Sequence, residues 1–171
     1  MTDPRPNLIF ILADDLGYAD LAAPAHAMRT TTPPMSPRLD AMAAQGLRFT
    51  RGYSNSPCRP RACAGHGPLG TVCAARPSRL PACMATKYWA CRPSNPTVAS
   101  LLRDAGYATA LIGKWHLGYP PHFGPRQSGY EEFYGFHAGG NDYFAHCDPR
   151  GRPDFWLNEE PHEEDGYRPI C

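Results

Sequence analysis

The chain has 171 residues, a formal net charge of +1 and only 19% charged residues. That length holds one domain with a sizeable core. The near-neutral balance gives no electrostatic argument for nucleic acid or an anionic membrane, and no apolar run approaches spanning length. Met1-Thr2-Asp3-Pro4-Arg5-Pro6 shows no basic region leading into an apolar stretch and cleavage site, so no export signal is expected. A cytoplasmic location is the default expectation, with a periplasmic one as runner-up. Seven cysteines are then expected as reduced thiols.

The first predicted element is the apolar run Leu8-Ile9-Phe10-Ile11-Leu12-Ala13, preceded by Pro6 and followed by Gly17. Its shortness and bulk predict a strand buried on both faces, as in a parallel sheet. Asp14 and Asp15 emerge at its C-terminal end, the edge at which open α/β sheets place ligands. Adjacent carboxylates stay ionised together most readily around a cation, which points to a divalent metal. Taken alone, the pair fits a solvated turn better than a metal site.

Ser36-Pro37 supplies an N-cap and a first-turn proline, and Leu39, Met42 and Ala43 follow at helical spacing until Gly46; this predicts a helix. Leu47 to Tyr53 alternates enough for a strand. Asn95-Pro96 opens a second predicted helix with Val98, Leu101, Leu102 and Ala105 on one face and Gly106 as its stop. Tyr107 to Ile112 is the next predicted strand. Strand, helix, strand, helix, strand is the α/β alternation of a mainly parallel sheet.

Residues 57–92 break this order. No Asp or Glu occurs between Ala41 and Arg103, and Cys58, Cys63, Cys73, Cys83 and Cys91 crowd into the stretch. A surface loop of that length is unusual in a compact domain. A zinc site lacks any Cys-x-x-Cys pair. The genetic code offers a third reading. Reverse translation of Ala82 to Cys91, begun at the third base, permits Leu-His-Gly-Asp-Lys-Val-Leu-Gly-Leu; Arg61 to Gly67, begun at the second base, permits Ala-Pro-Ala-Leu-Ala-Thr. The expectation is a stretch that is out of frame or disordered, and the coding DNA decides it.

Several strings in register resemble one family. Pro6-Asn7-Leu8-Ile9-Phe10-Ile11-Leu12-Ala13-Asp14-Asp15-Leu16-Gly17-Tyr18, the segment Ser36 to Thr50, Gly106 to Gly118 and Phe133-Tyr134-Gly135-Phe136 resemble, in order, the N-terminal part of the sulfatases. The resemblance spans about residues 6–56 and 93–166. It implies an α/β, alkaline-phosphatase-like fold with a mainly parallel sheet flanked by helices, the chain being the N-terminal part of one domain. It further implies calcium-assisted hydrolysis of a small-molecule sulfate ester, with Asp14 and Asp15 on the Ca2+.

In the resembled family the nucleophile is a cysteine in a Cys-x-Pro-x-Arg setting, oxidised to formylglycine by a separate generating enzyme. Its hydrated aldehyde supplies the attacking hydroxyl, a form of covalent catalysis. By position that residue is Cys58, which the resemblance also places on the metal. Cys58-Arg59-Pro60 keeps half of the motif, but Arg61 comes one place early and Ala62 stands at the arginine position. Ala75-Arg76-Pro77-Ser78-Arg79 has the motif's ending without its cysteine. The resemblance assigns Lys114 to the sulfate oxygens and His116 to proton transfer. In extended chain these two would point the same way. Trp115 reads as packing. Asn141, Asp142, Tyr143 and His146 carry no assigned role, although they are placed to line a cleft.

The family completes its calcium and sulfate sites with residues from sequence beyond residue 171, so weak calcium affinity and an impaired enzyme are expected. Two other readings stay open. One is a phosphate or phosphonate monoester hydrolase of the same superfamily; the other is a non-enzymatic module in which residues such as Cys63 and Cys83 bind zinc or a partner.

Overall fold

The computed structural model describes residues 5–14, 16, 36–52 and 96–167. The chain divides into two compact units, residues 1–53 and 54–171. No helix among the described residues is long and apolar enough to cross a membrane.

In the first unit, helix α1 spans Pro37–Gln45, as expected from its Ser-Pro start and glycine stop. The Ser36 carbonyl accepts the Asp40 N–H at 2.9 Å, and the Gly46 N–H closes on the Met42 carbonyl at 2.9 Å. Ser36 Oγ donates to Asp40 Oδ2 at 3.3 Å rather than capping a backbone group. Asp40 lies in the first turn, where the helix dipole favours an acid.

Two predicted strands of this unit are absent. Residues 6–13 form no ladder, and Leu8, Ile9, Phe10, Ile11 and Leu12 are 44–87% exposed. Residues 47–52 form none either, with Leu47 and Phe49 at 82% and 77% exposure. The reason is physical: apolar runs record a preference for burial, whereas a strand exists only through a neighbour that takes its N–H and C=O groups. Among the described residues of this unit there is no paired strand, and α1 buries none of its side chains.

The second unit holds α2 (Val98–Asp104), β1 (Ala110–Lys114), a 3-10 turn at Arg126–Ser128, β2 (Glu132–Phe136), β3 (Trp156–Leu157) and β4 (Glu160–Pro161). Helix α2 begins with a capping box. Thr97 Oγ1 accepts the Ser100 N–H and Ser100 Oγ accepts the Thr97 N–H, both at 2.9 Å, so two otherwise orphaned donors are satisfied reciprocally. Gly106, at φ 84°, ends it. The buried helix residue is Ala99, while Val98 and Leu101 are 36% and 48% exposed, so the predicted apolar face is not the packed one. Thr97 Oγ1 also donates to the Ser128 carbonyl at 2.5 Å. That bond fixes the helix's rotation, and small residues are what fit at such close approach.

The sheet order is β1-β2-β3-β4. Strands β1 and β2 are parallel, with Leu111 opposite Phe133 and Gly113 opposite Gly135. A side chain at Gly135 would collide with the Gly113 backbone, so this pair can close only with glycine at position 135. Strands β3 and β4 add antiparallel. The first strand starts three residues later than expected, because Thr109 turns its groups to Gly129 and Glu131 instead. Thr109 Oγ1 donates to the Gly129 carbonyl at 2.8 Å, and the Glu131 N–H reaches the Thr109 carbonyl at 2.9 Å.

Trp115, Leu117 and Phe133 form the buried core, and Leu111, Tyr130 and Trp156 pack on it. Trp115 is fully buried, with its indole N–H on the Phe123 carbonyl at 2.8 Å and Tyr130 edge-on at 6.3 Å. It is a packing residue, as expected. A buried indole with a satisfied N–H contributes its large apolar area without a polar penalty.

Candidate functional site

The chain's most chemical segment leaves the C-terminal end of β1. Lys114 is the last residue of that strand. Beyond it the backbone still bonds to the segment after β2: the Trp115 N–H meets the Phe136 carbonyl at 2.9 Å, and the His116 N–H meets the His137 carbonyl at 3.1 Å. His116 itself has φ 56°, a left-handed conformation uncommon outside glycine. The sequence expectation that Lys114 and His116 share one side of an extended chain is therefore corrected. Strand alternation ends before His116, and its ring direction is set by tertiary contacts. Such backbone conformations persist only where the surroundings enforce them.

The enforcing element is the loop after β2. The Asp154 carboxylate, 3% exposed, accepts the His137 N–H at 3.1 Å, the Ala138 N–H at 2.7 Å and the Trp156 indole N–H at 2.8 Å. The His137 Nδ1 lies 3.6 Å from Asp154 Oδ1. Burial works against ionisation of Asp154, but the His137 and Ala138 donors outweigh it and hold the carboxyl below its ordinary pKa. His137 is 1% exposed and sits among Phe133, Trp156 and Tyr119, with ring centroids 5.0, 5.1 and 5.7 Å away.

Residues 141–154 close on themselves and deliver Asp154 to this position. Asn141 Nδ2 donates to the Asp154 carbonyl at 2.8 Å. The Asp142 carboxylate accepts the N–H groups of Phe144 and Ala145 at 2.9 and 2.6 Å. His146 is 8% exposed and stacks on Phe155 at 5.3 Å. Asn141, Asp142 and His146 thus hold the loop, whereas Tyr143 is 43% exposed. Asp148 is held down to about 2 by the Arg152 guanidinium, 2.6 Å away, and by the N–H groups of Arg152 and Arg150.

Asp14 is exposed in the first unit, and Asp15 and Cys58 lie outside the described residues, as does the cysteine-rich stretch 57–92. Among the described residues no three His, Cys, Asp or Glu are grouped to hold a metal ion. Sequence reasoning missed Asp154, His137 and Gly139. The one available signal was the Gly139-Gly140 pair, a mark of close backbone approach.

A family model described as Sulfatase matches residues 6–166. This chain belongs to the sulfatase family. It is 34% identical over 155 residues to N-acetylgalactosamine-6-sulfatase of Canis lupus familiaris, covering 87% of this sulfatase chain and 28% of the relative. Arylsulfatase G of Rattus norvegicus is 37% identical over 134 residues, 77% of this chain and 24% of its own length. The arylsulfatase of Klebsiella aerogenes is 31% identical over 162 residues, 86% of this chain and 31% of its own. Among solved structures, that of Ps i-CgsB superposes with a TM-score of 0.71 at 25% identity, over 92% of this chain and 37% of that one. The sulfatase chain therefore has the α/β, alkaline-phosphatase-like fold expected for it, and spans about a quarter to a third of the curated relatives it matches.

Proposed function

We propose that this chain carries the front part of a sulfuric ester hydrolase site. Lys114 would hold the sulfate oxygens and His116 would transfer a proton. One observation carries the reading furthest: in a segment that matches the sulfatases, Lys114 closes a parallel strand and His116 follows in an enforced left-handed conformation. A fixed cation and an imidazole at one sheet edge suit an anionic ester, since the first stabilises charge and the second moves protons near neutrality.

Cys58 is the proposed formylglycine precursor, and the formylglycine-generating enzyme the proposed maturation partner. Once formed, formylglycine supplies the nucleophilic hydroxyl. Asp14, Asp15 and the residue at position 58 are the proposed calcium ligands. Carboxylate oxygens are the hard donors calcium takes, and a bound ion would offset negative charge on the ester. The substrate is a small-molecule sulfate ester.

The test is hydrolysis of 4-nitrophenyl sulfate and 4-nitrophenyl phosphate by protein co-expressed with a formylglycine-generating enzyme. Ala62→Arg completes the Cys58-x-Pro60-x-Arg pattern, so that variant is expected to show more converted residue 58 by mass spectrometry and faster sulfate release than the unsubstituted chain. Cys58→Ala should abolish both. Faster phosphate than sulfate release, or turnover that survives Cys58→Ala, would contradict the proposal.

A further inference from the structure

The geometry points to Gly139 and Asp154 as positioning residues for the His116 imidazole. This deepens the proposed role of His116 and rests on it for its bearing on turnover. The structural claim is independent of that role.

His137 links the two residues to His116. Its N–H and that of Ala138 are fixed by the buried Asp154 carboxylate at 3.1 and 2.7 Å, and its carbonyl takes the His116 N–H at 3.1 Å. The peptide that Asp154 grips is thus the one on which the His116 backbone rests. Two residues further, Gly139 lies against the ring itself. A Cβ at position 139 would fall 2.5 Å from His116 Nε2, 2.7 Å from Cε1 and 3.2 Å from Cδ2. These are the atoms of the imidazole edge that carries Nε2, the edge through which a proton would pass at that nitrogen.

Glycine can be required for its backbone freedom or for the space it leaves. Gly139 is not among the residues at positive φ, so its backbone admits alanine without the strain that left-handed geometry imposes. Space is what remains. Its neighbour Gly140 is a built-in control, because a Cβ there would meet only Pro149 Cγ at 3.9 Å, an ordinary contact. With strand alternation lost before His116, the glycine surface at 139 limits where the ring can sit, and the backbone that Asp154 holds carries its N–H.

Imidazole 1H–15N spectra test this on the whole chain, recorded against pH for the unsubstituted protein and for Gly139→Ala, Gly140→Ala and Asp154→Asn. The His116 signals are assigned with His116→Gln. Gly139→Ala should displace the His116 ring signals and move their titration midpoint in a chain that still unfolds cooperatively in urea, while Gly140→Ala leaves them in place. Asp154→Asn, which keeps one acceptor oxygen, should also displace them. His116 signals that are the same in Gly139→Ala as in the unsubstituted chain, or moved equally by Gly140→Ala, would overturn the inference. Aryl sulfate turnover measured in parallel in the Ala62→Arg background should fall by about 10- to 100-fold on adding Gly139→Ala, the scale expected when a reacting group is misplaced by about 1 Å. No turnover in the Ala62→Arg protein would count against the sulfatase reading, and the ring spectra would still decide the positioning role.

Discussion

Tyr130 packs its ring edge-on to Trp115, and burial pushes its phenol up to about 12. Because the folded chain holds this proton more tightly than the unfolded chain, with a pKa near 10, stability is unaffected below pH 10 and is lost as pH rises towards 12. Urea unfolding at pH 9 and at pH 11.5 should show a loss larger by up to about 2 kcal/mol in the unsubstituted protein than in Tyr130→Phe. Equal losses in the two proteins would refute the assignment. At this scale, legibility followed contiguity. Lys114 and His116 stood in one readable string with Trp115, whereas Asp154 and Gly139 act across 16 residues or more, and no periodicity encodes such a contact.

Both helices were legible because their signals are local: Ser-Pro and Gly46 frame α1, and Gly106 stops α2. The runs at 8–12 and 47–52 misled because a strand needs its partner. The β3-β4 hairpin was not read at all, and its anchor shows why. Asn158 turns the chain at φ 59°, its Oδ1 accepts the Phe133 N–H at 3.0 Å, and its own N–H reaches the Phe133 carbonyl at 2.7 Å. One asparagine thereby satisfies both backbone groups of a fully buried residue 25 positions away. Asn158→Ala strands the Phe133 N–H and is expected to cost about 1–3 kcal/mol in urea unfolding. Asn158→Asp, which keeps an acceptor oxygen, should recover part of that loss; an Asn158→Ala protein as stable as the parent would show that the clamp contributes nothing.

For the molecule as a whole, the α/β class and the family were both readable from strings spread over residues 6–166. The mainly parallel sheet is represented among the described residues by the β1-β2 pair, with β3 and β4 antiparallel. That mixture follows from connection length. The 17 residues between β1 and β2 allow a parallel crossover, whereas the two-residue turn between β3 and β4 can only reverse the chain. The central proposal is that the end of β1 handles a sulfate ester through Lys114 and His116. Its most direct test is 4-nitrophenol release from 4-nitrophenyl sulfate by the Ala62→Arg protein, compared with the same protein carrying Lys114→Ala or His116→Ala. Each added substitution is expected to lower kcat/KM by about 100-fold or more, and rates unchanged by both would contradict the proposal.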